Sequence, residues 1–233
     1  LVARLRVAAD EPLVVWDVGL GAAANAMAAV LAAEGLGSAS GARRLVLISF
    51  ENDLDSLKLA LDHPRWFKHL HHAAPRAVLS EDRWVNGGAA IDWRLMRGDF
   101  SARKFDAPPP DLIFFDPFSF KTDSALWTLP AFRELAQACA QKPAELFTYT
   151  YSTSVRAAML AAGFYVAKGR ATGPKAETTI GLSPLAAAVP HEHELLGQEW
   201  LARWRRSGAQ TPFGVEAGDV SWHEAVLEHP QFK

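Results

Sequence analysis

The sequence predicts an α/β fold built around a mostly parallel, seven-stranded sheet whose last strand is antiparallel. Short apolar segments typical of buried strands alternate with helical segments along most of the chain, as expected of parallel strands joined by helices. The last two strand-like segments, 164–170 and 176–183, are separated by a link too short for a helix. This short link favours an antiparallel hairpin at the end of the sheet.

The predicted strands and helices follow one another in a regular order. Strands are predicted at 13–18, at 44–51, at 91–99, within 108–118, and at 144–151, 164–170 and 176–183. Helices are predicted at 22–35, 53–63, 126–140 and 152–164, with capping residues or glycine at several of their ends. Residues 64–92 have a mixed pattern, so no regular element is predicted for most of this segment.

The chain is predicted to hold one domain, residues 1–184, followed by a C-terminal helical extension, residues 185–233. The pattern changes after Ser183, where a helix is predicted at about 191–206 and irregular chain beyond it. With 233 residues, the chain is long enough for one full hydrophobic core and an appendage. It begins at Leu1 rather than Met, so we expect part of the natural N-terminus to be missing.

Composition predicts a cytoplasmic protein with no membrane segment. No apolar run approaches the roughly 20 residues that cross a bilayer, and the first residues lack the apolar core of a signal peptide. Cys139 is the only cysteine, which excludes an internal disulfide and suits a reducing compartment. The net charge of −2 is unlike that of a large nucleic-acid-binding surface, although it leaves room for a local basic patch.

A turn that contains two glycines follows the first strand and predicts the close approach of a ligand. Gly19 and Gly21 come directly after the strand-end acid Asp17, and an Ala-rich helix follows them. Glycines let the chain turn tightly, while the N–H groups of a helix N-terminus can bind a ligand. The alternative is a tight turn without a ligand, because the third glycine of the G-x-G-x-x-G pattern is absent.

Acidic residues at the ends of other strands extend this candidate cofactor site. Glu51 ends the second strand, where a carboxylate can accept both hydroxyl groups of a ribose. Asp99 ends the third, where it can accept from an adenine amino group while Phe100 lies against the ring. The alternative role of these acids is helix capping. We expect Asp17 to lie near a positive charge, which favours S-adenosylmethionine over the pyrophosphate of NAD.

The segment 114–120, FFDPFSF, resembles the Asp/Asn-Pro-Pro-aromatic loop of amino-methyltransferases, with one proline fewer, and is the predicted reaction site. Methyl transfer is an in-line displacement, so an acceptor amine must present its lone pair about 3 Å from the methyl carbon. The Asp116 carboxylate and the Pro117 carbonyl can accept the two N–H bonds of that amine, and Asp116 can take the released proton. Phe118 can stack on a planar group or line the path of the cation. The alternative is an ordinary Asp-Pro turn at a strand end.

These motifs, in this order, resemble the methyltransferase domain of MnmC and its stand-alone MnmD relatives. They are the Asp17–Gly21 turn with Asn25, ISFE, RGDF, DPFS, Trp127, and TYTYSTSVRAAMLAAGF followed by GPKAE, and the resemblance covers residues 13–183. It implies a Rossmann-like class I S-adenosylmethionine-dependent methyltransferase. The implied substrate is the aminomethyl group on the wobble uridine of tRNA, and the implied partners are tRNA and upstream tRNA-modifying enzymes.

The resemblance also implies roles for individual positions. Cofactor binding is implied for Gly19, Gly21, Asn25, Glu51 and Asp99, and binding of the aminomethyl-uridine for Asp116 and Phe118. Further substrate-binding candidates are Trp127, Tyr151, Arg156 and Lys175. Arg156 and Lys175 would face phosphate or the closing loop, with an ordinary surface position as the alternative.

The chain departs from the family pattern at several points. Ala23 stands where many members have a third glycine, which tightens the room near the cofactor, and Pro117 replaces a glycine or alanine. KTDSALW replaces the Lys-Asn-Pro run that usually precedes the tryptophan. We expect this chain to lack the N-terminal segment that usually precedes the domain and the flavin-binding domain that follows it in the fused enzyme.

No metal site is predicted. The histidines of HPRWFKHLHH (63–72) lack supporting Cys or Asp spacing, and the segment is interpreted as a helix end with a solvated face. In HEHE (191–194), neighbouring side chains lie on alternate sides of a helix and form no ligand pair. ARWRR (202–206) is interpreted as a surface helix with partly buried tryptophan, with contact to RNA phosphate as the alternative.

Three other functions stay open on the sequence. The enzyme could methylate a small amine or another nucleic acid instead of tRNA. The chain could also be a binding protein that retains the nucleotide site without catalysis. A NAD-linked enzyme is the most distant alternative, because Glu51 lies 30 residues after Gly21 rather than about 20.

Overall fold

Strands and helices alternate through the structure, a computed structural model that describes residues 1–7, 9–37, 41–88, 90–118, 124–171 and 177–233. These residues divide into two compact units, Leu1–Pro117 and Phe118–Lys233. The strands are β1 (Leu13–Val18), β2 (Leu45–Glu51), β3 (Arg83–Asn86), β4 (Ile91–Arg97), β5 (Leu112–Phe115), β6 (Glu145–Thr148), β7 (Tyr165–Gly169) and β8 (Thr178–Leu182).

Ten α-helices lie in the described residues. They are α1 (Val2–Leu5), α2 (Ala24–Glu34), α3 (Asp55–Asp62), α4 (Ala74–Glu81), α5 (Phe100–Arg103), α6 (Leu129–Ala138), α7 (Thr153–Ala161), α8 (Pro184–Ala187), α9 (Gln198–Trp204) and α10 (Ser221–Leu227). Short 3₁₀ helices lie at Lys68–His71, Lys104–Asp106, Ala125–Trp127 and Pro230–Phe232.

The first unit contains a five-stranded, mostly parallel part of the sheet. Its strands run in the order β3-β4-β2-β1-β5. β1 is parallel to β2 and β5, β2 is parallel to β4, and only the edge strand β3 is antiparallel to its neighbour. All residues of β1 and β2 are buried, as expected for central strands covered on both faces.

The chain changes direction across this sheet at β1. β2 follows on one side of β1, and β5 lies on its other side. In open α/β sheets, ligands bind outside the carboxyl ends of the strands at such a switch point. This topology therefore predicts that a ligand binds at the carboxyl ends of β1 and β5.

The second unit contains β6, β8 and β7 in that order, with both pairs antiparallel. Gly181 on β8 leaves room for the core, because a Cβ there would lie 2.5 Å from the terminal methyl of Met159 on α7. Residues from the C-terminal part complete this core: the rings of Trp200 and Trp204 stack, as do those of Trp200 and Phe232.

The predicted α/β fold is confirmed, with β8 antiparallel to both of its neighbours. The predicted number of strands is wrong, because the described residues form eight strands rather than seven. The additional strand, β3, lies in the segment 64–92, for which no element was predicted. It is only four residues long and alternates between exposed and half-buried positions, so it lacks the apolar signature of the other strands.

The helix predicted at 191–206 is also corrected. Only Gln198–Trp204 is helical, and Ser221–Leu227 forms a further helix where irregular chain was predicted. Residues before α9 are extended along β7, where Lys168 N–H donates to the Glu194 carbonyl and Leu196 N–H to the Val166 carbonyl. These hydrogen bonds satisfy backbone groups at the free edge of β7. They require residues 194–196 to be extended, which explains why this segment is not helical. The domain boundary after residue 184 stays a prediction.

None of the helices in the described residues is long and apolar enough to cross a membrane.

Candidate active site at the ends of β1, β2 and β5

The carboxyl ends of β1 and β5 meet at a close backbone contact. Gly19 has a φ of +88°, and a Cβ there would lie 2.5 Å from the Asp116 carbonyl oxygen and 2.7 Å from the Pro117 Cα. Asp116 N–H also donates to the Val18 carbonyl. Gly19 is therefore needed because the Asp-Pro loop passes against the turn after β1.

Asn25 fixes the side chain of Asp116. It lies on the first turn of α2, and its Nδ2 donates to Oδ2 of Asp116 at 3.1 Å across a separation of 91 residues. The Asp116 side chain is exposed, while Pro117 is half-buried. A carboxylate thus stands beside the glycine turn in a fixed orientation. The sequence places Asn25 in the cofactor site through the family resemblance alone, and direct contact with a cofactor stays a prediction.

Gly21 and Glu51 join the turn after β1 to the end of β2. The Gly21 N–H donates to Oε2 of Glu51 at 3.0 Å. Oε1 of Glu51 accepts from the N–H groups of Asn52 and Asp53. A Cβ on Gly21 would meet no atom within 4 Å, although its φ of +50° favours glycine. Gly21 therefore borders open space, as a ligand-binding position should.

Asp17 is buried at the end of β1. Its Oδ2 accepts from Ser49 Oγ at 2.8 Å, and Ser49 Oγ accepts from the indole N–H of Trp93 at 2.9 Å. Burial raises the pKa of Asp17 to about 7, a rise opposed by the Ser49 hydrogen bond and increased by the carboxylates of Asp116 and Glu51. A cation brought near this site would favour the ionised form of Asp17. No role for Ser49 in this site was predicted from the sequence. A serine within the otherwise apolar strand LVLISFE is nevertheless a signal that could have identified it.

Replacing Asp17 by asparagine is expected to change how the free energy of unfolding depends on pH. The pKa is about 7 in the fold against an ordinary value of 3.8, so the native protein loses stability as pH rises from 3.8 towards 7. Between pH 5 and 8, the wild type should lose about 3 kcal/mol relative to Asp17→Asn. Urea unfolding of both proteins at each pH measures this difference, and parallel profiles would contradict the assignment.

Asp99 and Phe100 are placed differently from each other. Asp99 is exposed and caps α5, with its Oδ1 accepting from Ser101 N–H at 2.8 Å. Phe100 is buried, and its ring packs edge to face against Trp16 and Phe50. Both assignments to the adenine stay predictions. The capping role named as the alternative for Asp99 is present in the structure, and the Phe100 ring belongs to the core.

Two further features of the glycine turn depend on the tertiary structure. Ala23 is the N-cap of α2 with a φ of +59°, a left-handed conformation that costs a non-glycine residue roughly 1–2 kcal/mol. Its neighbour Ala22 accepts a hydrogen bond from Nε2 of His69 at 2.8 Å. The histidine-containing segment 63–72 is thereby attached to the candidate cofactor turn, a contact that the sequence did not predict.

The second unit holds the remaining part of the Asp-Pro-Phe loop and the substrate candidates. The Phe118 side chain is 59% exposed, and its carbonyl accepts from the indole N–H of Trp127 at 2.7 Å. Trp127 is fully buried, so a direct substrate contact is not supported for it. It instead holds the backbone of Phe118. Tyr151 is exposed after β6, and its substrate contact stays a prediction.

Arg156 is buried within the second unit rather than available to phosphate. Its guanidinium donates to Thr179 Oγ1, to Oε1 of Glu177 and to the Thr178 carbonyl at 2.9–3.0 Å. Burial lowers the pKa of Arg156, and the Glu177 carboxylate opposes this shift. Arg156 therefore anchors the start of β8 and does not fit the predicted phosphate contact. Lys175 lies outside the described residues.

No group of three or more His, Cys, Asp or Glu side chains that could hold a metal ion occurs in the part of the chain described. In the segment 63–72, His69 and His71 contact the carbonyls of Ala22 and Pro64. His72 lies 3.3 Å from a carboxylate oxygen of Glu34. These histidines hold local structure together.

Residues 63–184 match the family described as S-adenosyl-L-methionine-dependent methyltransferase. A comparison with curated protein sequences gives no match. Among solved structures, the fold is similar to that of MnmC2 from Aquifex aeolicus, with a TM-score of 0.65 and 20% identity over 97% of this chain and 69% of that chain. At this identity, the likeness concerns the fold alone.

Two other solved structures have lower scores. Precorrin-6y C5,15-methyltransferase from Geobacter metallireducens has a TM-score of 0.42 at 16% identity, over 78% of this chain and 83% of that chain. TrmN from Thermus thermophilus has a TM-score of 0.43 at 16% identity, over 77% of this chain and 46% of that chain. Both scores are too low to bear on the substrate.

Proposed function

The chain belongs to the family of S-adenosyl-L-methionine-dependent methyltransferases, and on that premise we propose that it methylates the aminomethyl group of a tRNA wobble uridine. The observation that carries the proposal is the position of the Asp116 carboxylate. It is exposed, oriented by Asn25 and attached to a loop that lies against the glycine turn at the end of β1. A carboxylate that can accept hydrogen bonds from an amine therefore lies beside the glycine turn that we assign to the cofactor.

The residues of the first unit fit S-adenosylmethionine. Glu51 carries a carboxylate beside the open space at Gly21, suited to the ribose hydroxyl groups. Asp17 is a buried carboxylate with a raised pKa, and a nearby cation would stabilise its charged form. When bound, the cofactor supplies a methyl group on a sulfonium, an electrophile whose sulfur becomes neutral when the methyl group leaves.

Asp116 has two tasks in the proposed reaction. Its carboxylate and the Pro117 carbonyl accept the N–H bonds of a neutral amine, so that the nitrogen lone pair is directed at the methyl carbon. Transfer of the methyl group from the bound cofactor would form a C–N bond as the C–S bond breaks, and the amine would then carry a positive charge. Asp116 then accepts one N–H proton, and the methylated amine is neutral again.

The tRNA substrate is supported by the loop motif, by the fold and by an exposed aromatic ring. The Asp-Pro-Phe loop resembles that of MnmC-type enzymes, and the fold is similar to that of a protein named MnmC2. The exposed Phe118 ring, two residues after Asp116 in the chain, suits stacking on a uracil. A cytoplasmic location follows from this role, and upstream tRNA-modifying enzymes would supply the aminomethyl group.

The proposal is tested by mass spectrometry of wobble nucleosides in cells that lack this gene. We expect unmethylated aminomethyl-uridine to accumulate, and the purified protein should methylate that tRNA in the presence of S-adenosylmethionine. Re-expression of the wild type, but not of Asp116→Ala, should restore the methylated nucleoside. Unchanged nucleosides, together with turnover on small amines, would contradict the tRNA assignment.

A further inference from the structure

A basic segment follows α3 and continues through most of α4 in the first unit. Residues 63–80 contain Arg65, Lys68 and Arg76 and no Asp or Glu, whereas the whole chain has a net charge of −2. Arg76 is used structurally, because its guanidinium donates to the Leu61 carbonyl. The local positive charge available to a partner therefore comes from Arg65 and Lys68.

An exposed aromatic ring lies between these two cations. The Trp66 side chain is 83% exposed, and Arg65 and Lys68 are exposed on either side of it in the chain. Within the described residues, neither cation has an acidic partner, unlike Lys58 and Arg83, which pair with Asp55 and Asp92. We call Arg65, Trp66 and Lys68 the 65–68 patch.

The 65–68 patch is held close to the candidate cofactor turn. His69 contacts the Ala22 carbonyl at 2.8 Å, and the turn at Pro64 is held by His71 at 3.0 Å. Between these contacts, Leu70 is buried and anchors the segment in the core. Trp66 is three residues from His69, so their Cα atoms lie no more than about 11 Å apart.

We propose that the 65–68 patch binds single-stranded RNA next to the base that is methylated. An unpaired base would stack on Trp66, while Arg65 and Lys68 would contact the phosphates on either side. An aromatic ring between two unpaired cations suits RNA loops, whose bases can be splayed out, better than duplex RNA, whose bases stay stacked. The inference rests on the proposed function, since it assumes an RNA substrate.

The aromatic part of the proposal is tested by Trp66→Ala in steady-state methylation of the tRNA. We expect the KM for tRNA to rise about tenfold, within the range found for loss of one base–aromatic stack, with kcat and the Kd for S-adenosylmethionine unchanged. Trp66→Phe should retain most of the affinity because the ring is kept. Leu59→Ala is the matched control, since Leu59 is 62% exposed on α3 of the same unit.

The ionic part is tested by Arg65→Ala/Lys68→Ala. Loss of two phosphate contacts should reduce the slope of log KM against log salt by about 1.4 for a single-stranded site. Lys58→Ala/Arg83→Ala removes the same number of exposed cations from ion pairs, and we expect it to leave the slope unchanged. Thermal unfolding of each variant verifies that the fold is retained.

The outcomes separate this inference from the proposed function. If the wild type methylates tRNA and the patch variants have wild-type KM and salt slope, the inference is wrong and the proposed function stands. If Trp66→Ala changes the oligomeric state and leaves the KM for tRNA unchanged, the 65–68 patch binds a protein partner rather than RNA. If the wild type methylates no RNA, the binding of an anticodon-loop oligonucleotide to the protein tests the inference. Binding that is lost in Trp66→Ala would support an RNA-binding role for the 65–68 patch. Absence of binding to the wild type would overturn the inference.

Discussion

Replacing Gly19 by alanine is expected to destabilise the protein and abolish methyl transfer. The added Cβ would lie 2.5 Å from the Asp116 carbonyl oxygen and 2.7 Å from the Pro117 Cα, at a φ of +88°. Backbone strain and overpacking together should cost about 2–5 kcal/mol of the free energy of unfolding. Any relaxation that removes the overlap must move the Asp-Pro loop, and with it the carboxylate that we assign to the reaction.

Gly21→Ala is the control for this variant. A Cβ at Gly21 would meet no atom within 4 Å, so only the φ of +50° opposes the substitution, at a cost of roughly 1–2 kcal/mol. Urea unfolding of both variants measures the difference in stability, and a methylation assay of Gly19→Ala measures the loss of turnover. A Gly19→Ala protein with wild-type stability and turnover would show that the close contact between the two loops does not exist in solution.

Replacing Asp116 by alanine is expected to lower kcat by about 10²–10⁴-fold, the range for loss of a positioned acid–base group. The Kd for S-adenosylmethionine should change less than about threefold, because Asp116 is exposed and the cofactor is assigned to Asp17, Glu51 and the glycine turn. The fold should survive, since surface substitutions usually change stability by about 0.5 kcal/mol or less.

Asp116→Asn separates the two tasks given to this carboxylate. Its amide keeps an oxygen that can accept an N–H bond, but it cannot take a proton, so partial activity that rises with added buffer base would identify the proton transfer. Calorimetric titration of the cofactor and single-turnover assays measure both steps. Turnover of Asp116→Ala within threefold of wild type would exclude the proposed mechanism, and absence of turnover in the wild type would favour a non-catalytic binding protein.

Local sequence determined much of the fold. Apolar runs and helical periodicity are short-range properties, which is why the predicted strand 13–18 coincides with β1 and the predicted strand 44–51 matches β2 to within one residue. The motif order also predicted the methyltransferase class and its cofactor, and the family match confirms both. The wobble-uridine substrate is proposed and not yet tested.

Only the tertiary structure decided what the candidate site residues contact. Three contacts join residues that are dozens of positions apart: Gly19 with Asp116, Asp17 with Ser49, and Ala22 with His69. Contacts of this kind produce no periodic pattern in the sequence. The same holds for burial, because Arg156 looks available in the sequence and is enclosed once β8 packs against α7. Local pattern specifies the elements, whereas long-range packing decides which polar groups face a ligand and which hold the fold together.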